Sequence, residues 1–222
     1  MNKKFDGDTW VKCIRLVSDA FNEVNALIDS IDELFLEELS PTGKFDRPVQ
    51  ASDWKDGSGA DESGWVDINY AAYLPIKPRG SGNKSTSAYI GYQLSMIGDG
   101  IKLEGNDQPL LHVFLMRDEP EIEDGQVLSL AVERVGDLDY VPVDTGYLLA
   151  PGGLYSEDWR KQEWFFSVRL VGLESVDDLK RFVVSPAIAL LEGKGHAQAW
   201  GAMCPPCLVR YGLNERGLKV TN

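Results

Sequence analysis

Residues 8–40 read DTWVKCIRLVSDAFNEVNALIDSIDELFLEELS. Within them Trp10, Ile14, Val17, Phe21, Val24, Ile28, Ile31 and Phe35 recur at alternating intervals of four and three. Cys13, Ala20, Leu27 and Leu34 form a second row beside the first. An apolar stripe of this width, on one side only, suits a helix packed on a core. Asp8 or Thr9 offers a capping oxygen at its start, and Ser40-Pro41 stops it. At 1.5 Å per residue the helix would be about 48 Å long. That exceeds most helices of globular domains, so it should overhang its sheet or break once. The polar side carries Asp19, Glu23, Asp29, Asp32, Glu33, Glu37 and Glu38 against only Lys12 and Arg15.

Downstream the period changes. Residues 41–63 are rich in Gly, Ser and Asp and read as a loop with one short strand near Pro48–Ser52. Val66, Ile68, Tyr70, Ala72, Leu74 and Ile76 then alternate with Trp65, Asp67, Asn69, Ala71 and Tyr73. A second alternating run covers Ala88–Met96. These are half-buried antiparallel strands joined through the Pro78–Ser85 turn region. Further strands are predicted at Leu110–Met116, Val127–Val135, Tyr140–Leu149 and Trp164–Leu173, separated by Gly- and Asp-rich turn clusters. A second helix opens at Ser175, whose hydroxyl can cap it, with Asp177 and Asp178 in its first turn. Pro186 should kink or restart it, and Gly193 ends it. The tail from about residue 194 reads as irregular, with one strand at Leu208–Leu213. Strands that follow one another without intervening helices imply a meander. The expectation is therefore a single α+β domain over residues 1–222. A long N-terminal helix packs on an antiparallel meander sheet of about six strands, with a shorter C-terminal helix.

Composition narrows the function classes. Hydrophobic residues are 43% and charged residues 26%, as in ordinary globular chains. The 35 acidic and 22 basic side chains leave a net charge of −13. Such a field repels phosphate backbones and anionic lipid, which argues against direct nucleic-acid or membrane binding and for a protein partner, a basic one by charge complementarity. The plainer account is that an acidic surface keeps a protein soluble. The N-terminus lacks the apolar segment of a signal peptide, and no apolar run approaches a membrane span. Three cysteines do not make a disulfide framework, so the expected location is cytoplasmic.

Several local patterns suggest chemistry. Cys204-Pro205-Pro206-Cys207 resembles the Cys-x-x-Cys of thioredoxin-like folds, but only 15 residues follow it, where that fold places most of its sheet. As a zinc knuckle it has only Cys13, His112 and His196 as further Cys or His ligands, unless a homodimer supplies a second pair. A thiol pair in a stiffened turn is the simpler reading. Asp144-Thr145-Gly146 spells an aspartic-protease triplet in a single copy. The loop from Gly80 to Thr86 lacks the glycine spacing of a phosphate loop. Asp53-Trp54-Lys55 offers the acid-x-Lys fragment of metal-dependent nucleases without a suitably placed upstream acid. Asp118, Glu119, Glu121, Glu123 and Asp124 crowd one loop, where hard cations could bind but a solvated tip accounts for them equally. His112 lies in an apolar strand and reads as a core residue, while His196 has no evident partner. Trp54, Trp159 and Trp200 fall in loops, as a ligand platform or as seals on the core.

No convincing catalytic set emerges, and no cofactor is expected. The leading expectation is a non-enzymatic binding or regulatory protein, an acidic inhibitor, antitoxin-like or accessory subunit. It would bind a protein partner through Asp19, Glu23, Asp29, Asp32, Glu33 and Glu37. The alternative is a metal-dependent hydrolase or nuclease whose carboxylates are dispersed in sequence, with Cys204 and Cys207 as weak metal candidates.

Overall fold

The computed structural model describes residues 7–40, 48–60, 67–79, 86–96, 103–128, 140–152, 161–201 and 204–221. Helix α1 runs unbroken over Gly7–Glu38. Eight strands follow: β1 (Val49–Gln50), β2 (Lys55–Ala60), β3 (Asp67–Lys77), β4 (Ala88–Ser95), β5 (Leu110–Met116), β6 (Tyr140–Val143), β7 (Leu148–Pro151) and β8 (Trp164–Arg169). They form one antiparallel sheet in the order β1-β3-β4-β5-β8-β7-β6, with β2 also paired to β3. Helical segments α2 (Val176–Leu179), α3 (Ser185–Leu191) and α4 (His196–Ala199) follow. A hairpin of β9 (Tyr211–Asn214) and β10 (Gly217–Val220) comes last. No helix among the described residues is long and apolar enough to cross a membrane.

The α+β class is as the sequence predicts, with more strands than the expected six. The sheet is two meanders, β3-β4-β5 and β6-β7-β8, zipped together by β5 and β8. Strand β2 has the sequence KDGSGA, with no apolar alternation to announce it. Its Gly59 lies so close to the chain that an added Cβ would meet the Asp124 carbonyl oxygen at 1.8 Å. The segment read as one strand over Tyr140–Leu149 is a hairpin, because Asp144–Gly146 makes a 3-10 turn in which Thr145 (φ 66°) and Gly146 (φ 88°) are left-handed. Of the predicted strand Val127–Val135, only Val127 and Leu128 are described, and they lie outside any strand.

Both faces of the sheet are covered. One face buries Leu74, Ile90, Tyr92, Val113 and Phe166 under α1 and the α2–α3 segment. The other buries Tyr73, Phe114, Leu149 and Phe165 against Val209, Tyr211 and Leu218 of the C-terminal chain. Two covered faces explain why β5 (LLHVFLM) and β8 (WFFSVR) are almost continuously apolar rather than alternating. The tail beyond Lys194 is thus structured, correcting the irregular reading; the Glu215-Arg216 turn works because Gly217 adopts φ 118°.

The C-terminal helix starts as predicted. The Ser175 hydroxyl accepts the Asp178 N–H at 3.2 Å and donates to the Asp178 carboxylate at 2.8 Å. Pro186 marks a restart, as predicted. A π-helical stretch, Lys180–Val184, precedes it, and the proline occupies the first turn of α3, where a missing N–H costs little. Gly193 closes it with φ 85° and an N–H bond to the Leu190 carbonyl at 2.8 Å.

Helix α1 docks only by its C-terminal part. Ile31, Phe35 and Leu39 are completely buried, Phe21, Val24, Leu27 and Ile28 are half-buried, and residues 11–20 are all exposed. Ile14 and Val17, which belong to the stripe that the sequence predicts to pack on a core, are instead 63% and 42% exposed. The side chains of Trp10, at the head of that stripe, and of Ile68, in the predicted strand, lie outside the described residues. The cause is length. An eight-residue strand such as β4 spans about 27 Å at 3.4 Å per residue, against about 48 Å for a 32-residue helix.

Substituting Phe35→Ala should therefore cost about 3–5 kcal/mol in denaturant unfolding, whereas Ile14→Ala should change stability by less than about 0.5 kcal/mol. Equal costs at the two positions would contradict partial docking.

Candidate functional site

Where α1 rises off the sheet, it leaves a pocket of about 340 Å³ between itself and strands β2, β3 and β4. The helix contributes Val17, Phe21, Val24 and Ile28, at the helical spacing that put them on the stripe. The sheet side contributes Leu94 and Met96. Polar side chains come from Asn25 of α1, Asp56 and Ser58 of β2, and Tyr70 of β3, while Asn69, the neighbour of Tyr70 in β3, directs its side chain to the opposite face beside Ser95. Asn69 is only 4% exposed, and its Oδ1 has no hydrogen-bond partner among the described residues.

Beside the pocket, Tyr92 donates a hydrogen bond to Asp32 Oδ1 at 2.8 Å. Burial pushes the Asp32 carboxyl up to about 6; the Tyr92 bond opposes this, while Asp29 and Asp56 add to it. Burial and the Asp56 charge push Tyr70 up to about 12, so its hydroxyl stays protonated and available as a donor. Trp54 stands edge-on to Phe35 at 6.2 Å and to Tyr92 at 5.6 Å.

The residues singled out as a partner surface divide into two groups. Asp19, Glu23, Asp29, Glu33 and Glu37 are exposed on α1. Asp32 is turned inward to Tyr92, because it follows Ile31 on the flank of the docked stripe. Glu37 is engaged with Lys180 at 3.6 Å. The structure adds what the acidic pattern did not reveal, an exposed apolar set at Val11, Ile14, Leu16 and Val17 on the same stretch of helix.

Other patterns dissolve into structure. Burial raises the Cys207 thiol, the opposite of what a nucleophile or metal-ready thiolate needs. Cys204 is half-buried against the main core. Lys55 pairs with Glu119, which also accepts the Tyr73 hydroxyl at 2.9 Å, so the acid-x-Lys fragment and the acidic loop are tied to each other. Trp54 and Trp200 seal the core; Trp200 lies edge-on to Phe166 at 4.8 Å and donates to the Phe182 carbonyl at 3.1 Å. Trp159, residues 80–85 of the phosphate-loop-like segment and the Asp144 side chain lie outside the described residues. His196 stacks on Tyr147 and sits 3.2 Å from Thr145 Oγ1. Among the described residues no group of three or more His, Cys, Asp or Glu side chains could hold a metal ion.

One constellation escaped the sequence reading. His112 Nδ1 lies 2.6 Å from Ser167 Oγ, which accepts the Tyr211 hydroxyl at 2.6 Å. Ser167 therefore donates to Nδ1, and burial holds His112 neutral by lowering its pKa to about 3. It is not a catalytic set, because His112 and Ser167 are 0% and Tyr211 3% exposed, out of reach of any substrate. Their role is to tie β5, β8 and β9 together. Only the cross-strand pairing of His112 with Ser167 brings them together, and that register is invisible in the linear sequence.

Because Asp32 titrates higher folded than unfolded, its stabilising contribution is present below about pH 4 and lost as pH rises through about 6. Asp32→Asn, which mimics the protonated acid, should stabilise the protein by about 1 kcal/mol at pH 7, discounting for its half exposure. The gain should vanish near pH 4. Unfolding free energies measured at both pH values test this, and a loss of stability at pH 7 would contradict it.

Comparison of the chain with protein-family models, curated proteins and solved structures finds no match.

Proposed function

We propose that the chain is a non-enzymatic, acidic regulatory or accessory protein whose function is to bind a basic protein partner on the exposed surface of α1. The observation that carries this reading is the exposure of Val11, Ile14, Leu16 and Val17 on a helix that continues past its own sheet. Such residues add no packing to the fold and stand ready to be covered by another surface. Around and beyond them on α1, Asp19, Glu23, Asp29 and Glu33 are exposed. Interfaces ordinarily combine apolar contacts with a charged margin, and this helix offers residues of both kinds. The carboxylates would steer a basic partner, and the apolar residues would hold it. Asp32 belongs to the fold rather than to this surface, since its carboxylate is committed to Tyr92.

The test uses an amphipathic helical peptide of leucine and lysine as the basic partner. Its association should slow steeply with added salt, because charges more than about 8 Å apart are screened at physiological ionic strength. Glu23→Gln, Asp29→Asn and Glu33→Gln combined should slow association on the order of tenfold at low salt, with little change in dissociation. Ile14→Ser with Val17→Ser should instead speed dissociation. Rates indifferent to salt and to both sets, or no binding, would overturn the proposal.

A further inference from the structure

The middle of α1 meets the sheet across a seam with carboxylates on both sides. Asp29 and Asp32 belong to the helix and Asp56 to β2, and the charges of Asp29 and Asp56 both act on Asp32. Asp56 stands opposite Ala72 of β3, and Ala72 opposite Tyr92 of β4, so Asp56 and Tyr92 lie in one row on the face that α1 covers. Asp32 Oδ1 accepts the hydroxyl of the completely buried Tyr92, which is hydrogen-bonded in turn to Tyr70 of β3. The cations nearby are engaged elsewhere. Lys55, beside Asp56 in β2, projects to the opposite face and pairs with Glu119. Lys180, from the helical segment packed on α1, engages Glu37. Immediately N-terminal to this seam the packing loosens. Phe21, Val24 and Ile28 are only half-buried and stand over a gap of about 340 Å³ floored by Tyr70 and Leu94. That stretch can lift without disturbing the close-packed Ile31, Phe35 and Leu39.

We propose that α1 is a pH-responsive arm whose middle segment, residues 21–28, closes on β2, β3 and β4 when Asp32 is protonated and lifts from them when Asp32 is charged. With the arm closed, the Asp32 carboxylate is partly out of water and beside two like charges. Burial is the main cause of its rise to about 6, and Asp29 and Asp56 add to it against the Tyr92 bond. With the arm lifted, the group returns toward water and its ordinary value of 3.8. A proton therefore binds the closed arm more tightly, and by linkage it favours closure. The advantage is fully present below about pH 4 and is lost as pH rises through about 6. Protonated Asp32 keeps an oxygen that accepts the Tyr92 hydroxyl, so closure costs no hydrogen bond. The inference does not depend on the partner-binding reading, because it concerns the inner, half-buried part of the stripe in the isolated protein.

The experiment measures hydrogen exchange of the full-length protein at pH 5 and at pH 7.5, with each amide corrected for the intrinsic pH dependence of exchange. Protection of the amides of residues 21–28 should be about tenfold greater at pH 5. Amides of β5 and β8 should move the other way. They exchange through global unfolding, which also releases His112, and burial of neutral His112 makes the fold less stable as pH falls. Asp32→Asn keeps an oxygen acceptor for Tyr92 and carries no charge, so its residues 21–28 should show the high protection at both pH values. Protection of residues 21–28 that is the same at both pH values in the wild type would overturn the proposal. So would an undiminished pH dependence in Asp32→Asn, or an equal rise in β5 and β8, which would place the effect in global stability rather than in the arm.

Discussion

The burial of Ile31, Phe35 and Leu39 on the sheet face containing Leu74, Ile90 and Tyr92 is the contact on which the rest of this molecule depends. It fixes where α1 sits, and therefore where α1 has to leave. These three side chains are completely buried and lie one helical turn apart, so they hold the helix along a single line. Everything N-terminal to them follows that line beyond the end of the sheet. Trp54, although it comes from a loop, completes the contact by wedging edge-on against both Phe35 and Tyr92. The two sides of the sheet then have different duties. One receives the helices, and the other is closed by the C-terminal chain and the His112–Ser167–Tyr211 tie.

The same docking accounts for the unusual electrostatics near the helix. Bringing Asp32 down onto Tyr92 takes a carboxylate partly out of water, which raises its pKa despite the hydrogen bond it gains. The protein accepts a cost in stability there at neutral pH. His112 sets the opposite dependence. Its folded pKa is depressed to about 3, so its contribution is present above the unfolded value of 6.5 and is lost as pH falls toward 3. Asp32 gains and His112 loses stability on acidification, so the two partly offset each other between about pH 6 and pH 4.

The helix was legible because its period is long and regular, and its excess length already implied an overhang or a break. What the sequence did not settle is which part docks, since Ile14 and Ile31 occupy equivalent places in the pattern. That is decided by strand length, a property of a different part of the chain. Strand β2 was missed because its pairing with β3 is carried by backbone, with glycines at Gly57 and Gly59 where packing against Ile122 and Asp124 leaves no room for a Cβ. The β6–β7 hairpin was concealed because its apolar run is interrupted only by Asp144-Thr145-Gly146, and the turn depends on a left-handed backbone at Thr145, a residue type that rarely adopts it. The pocket was illegible in principle. It forms only where α1 leaves the sheet over β2, β3 and β4, elements whose residues lie far apart in the chain.

The central claim is that α1 is one helix in two environments, held at its C-terminal end and unsupported by its own sheet at the other. Hydrogen–deuterium exchange along α1 in the isolated protein tests it most directly. Amides from Ile31 to Glu38 should exchange slowly, near the rate set by global unfolding, while those from Val11 to Ala20 should exchange faster by orders of magnitude. Uniformly slow exchange along the whole helix would contradict the account, because it would mean that the apolar stripe is already covered throughout.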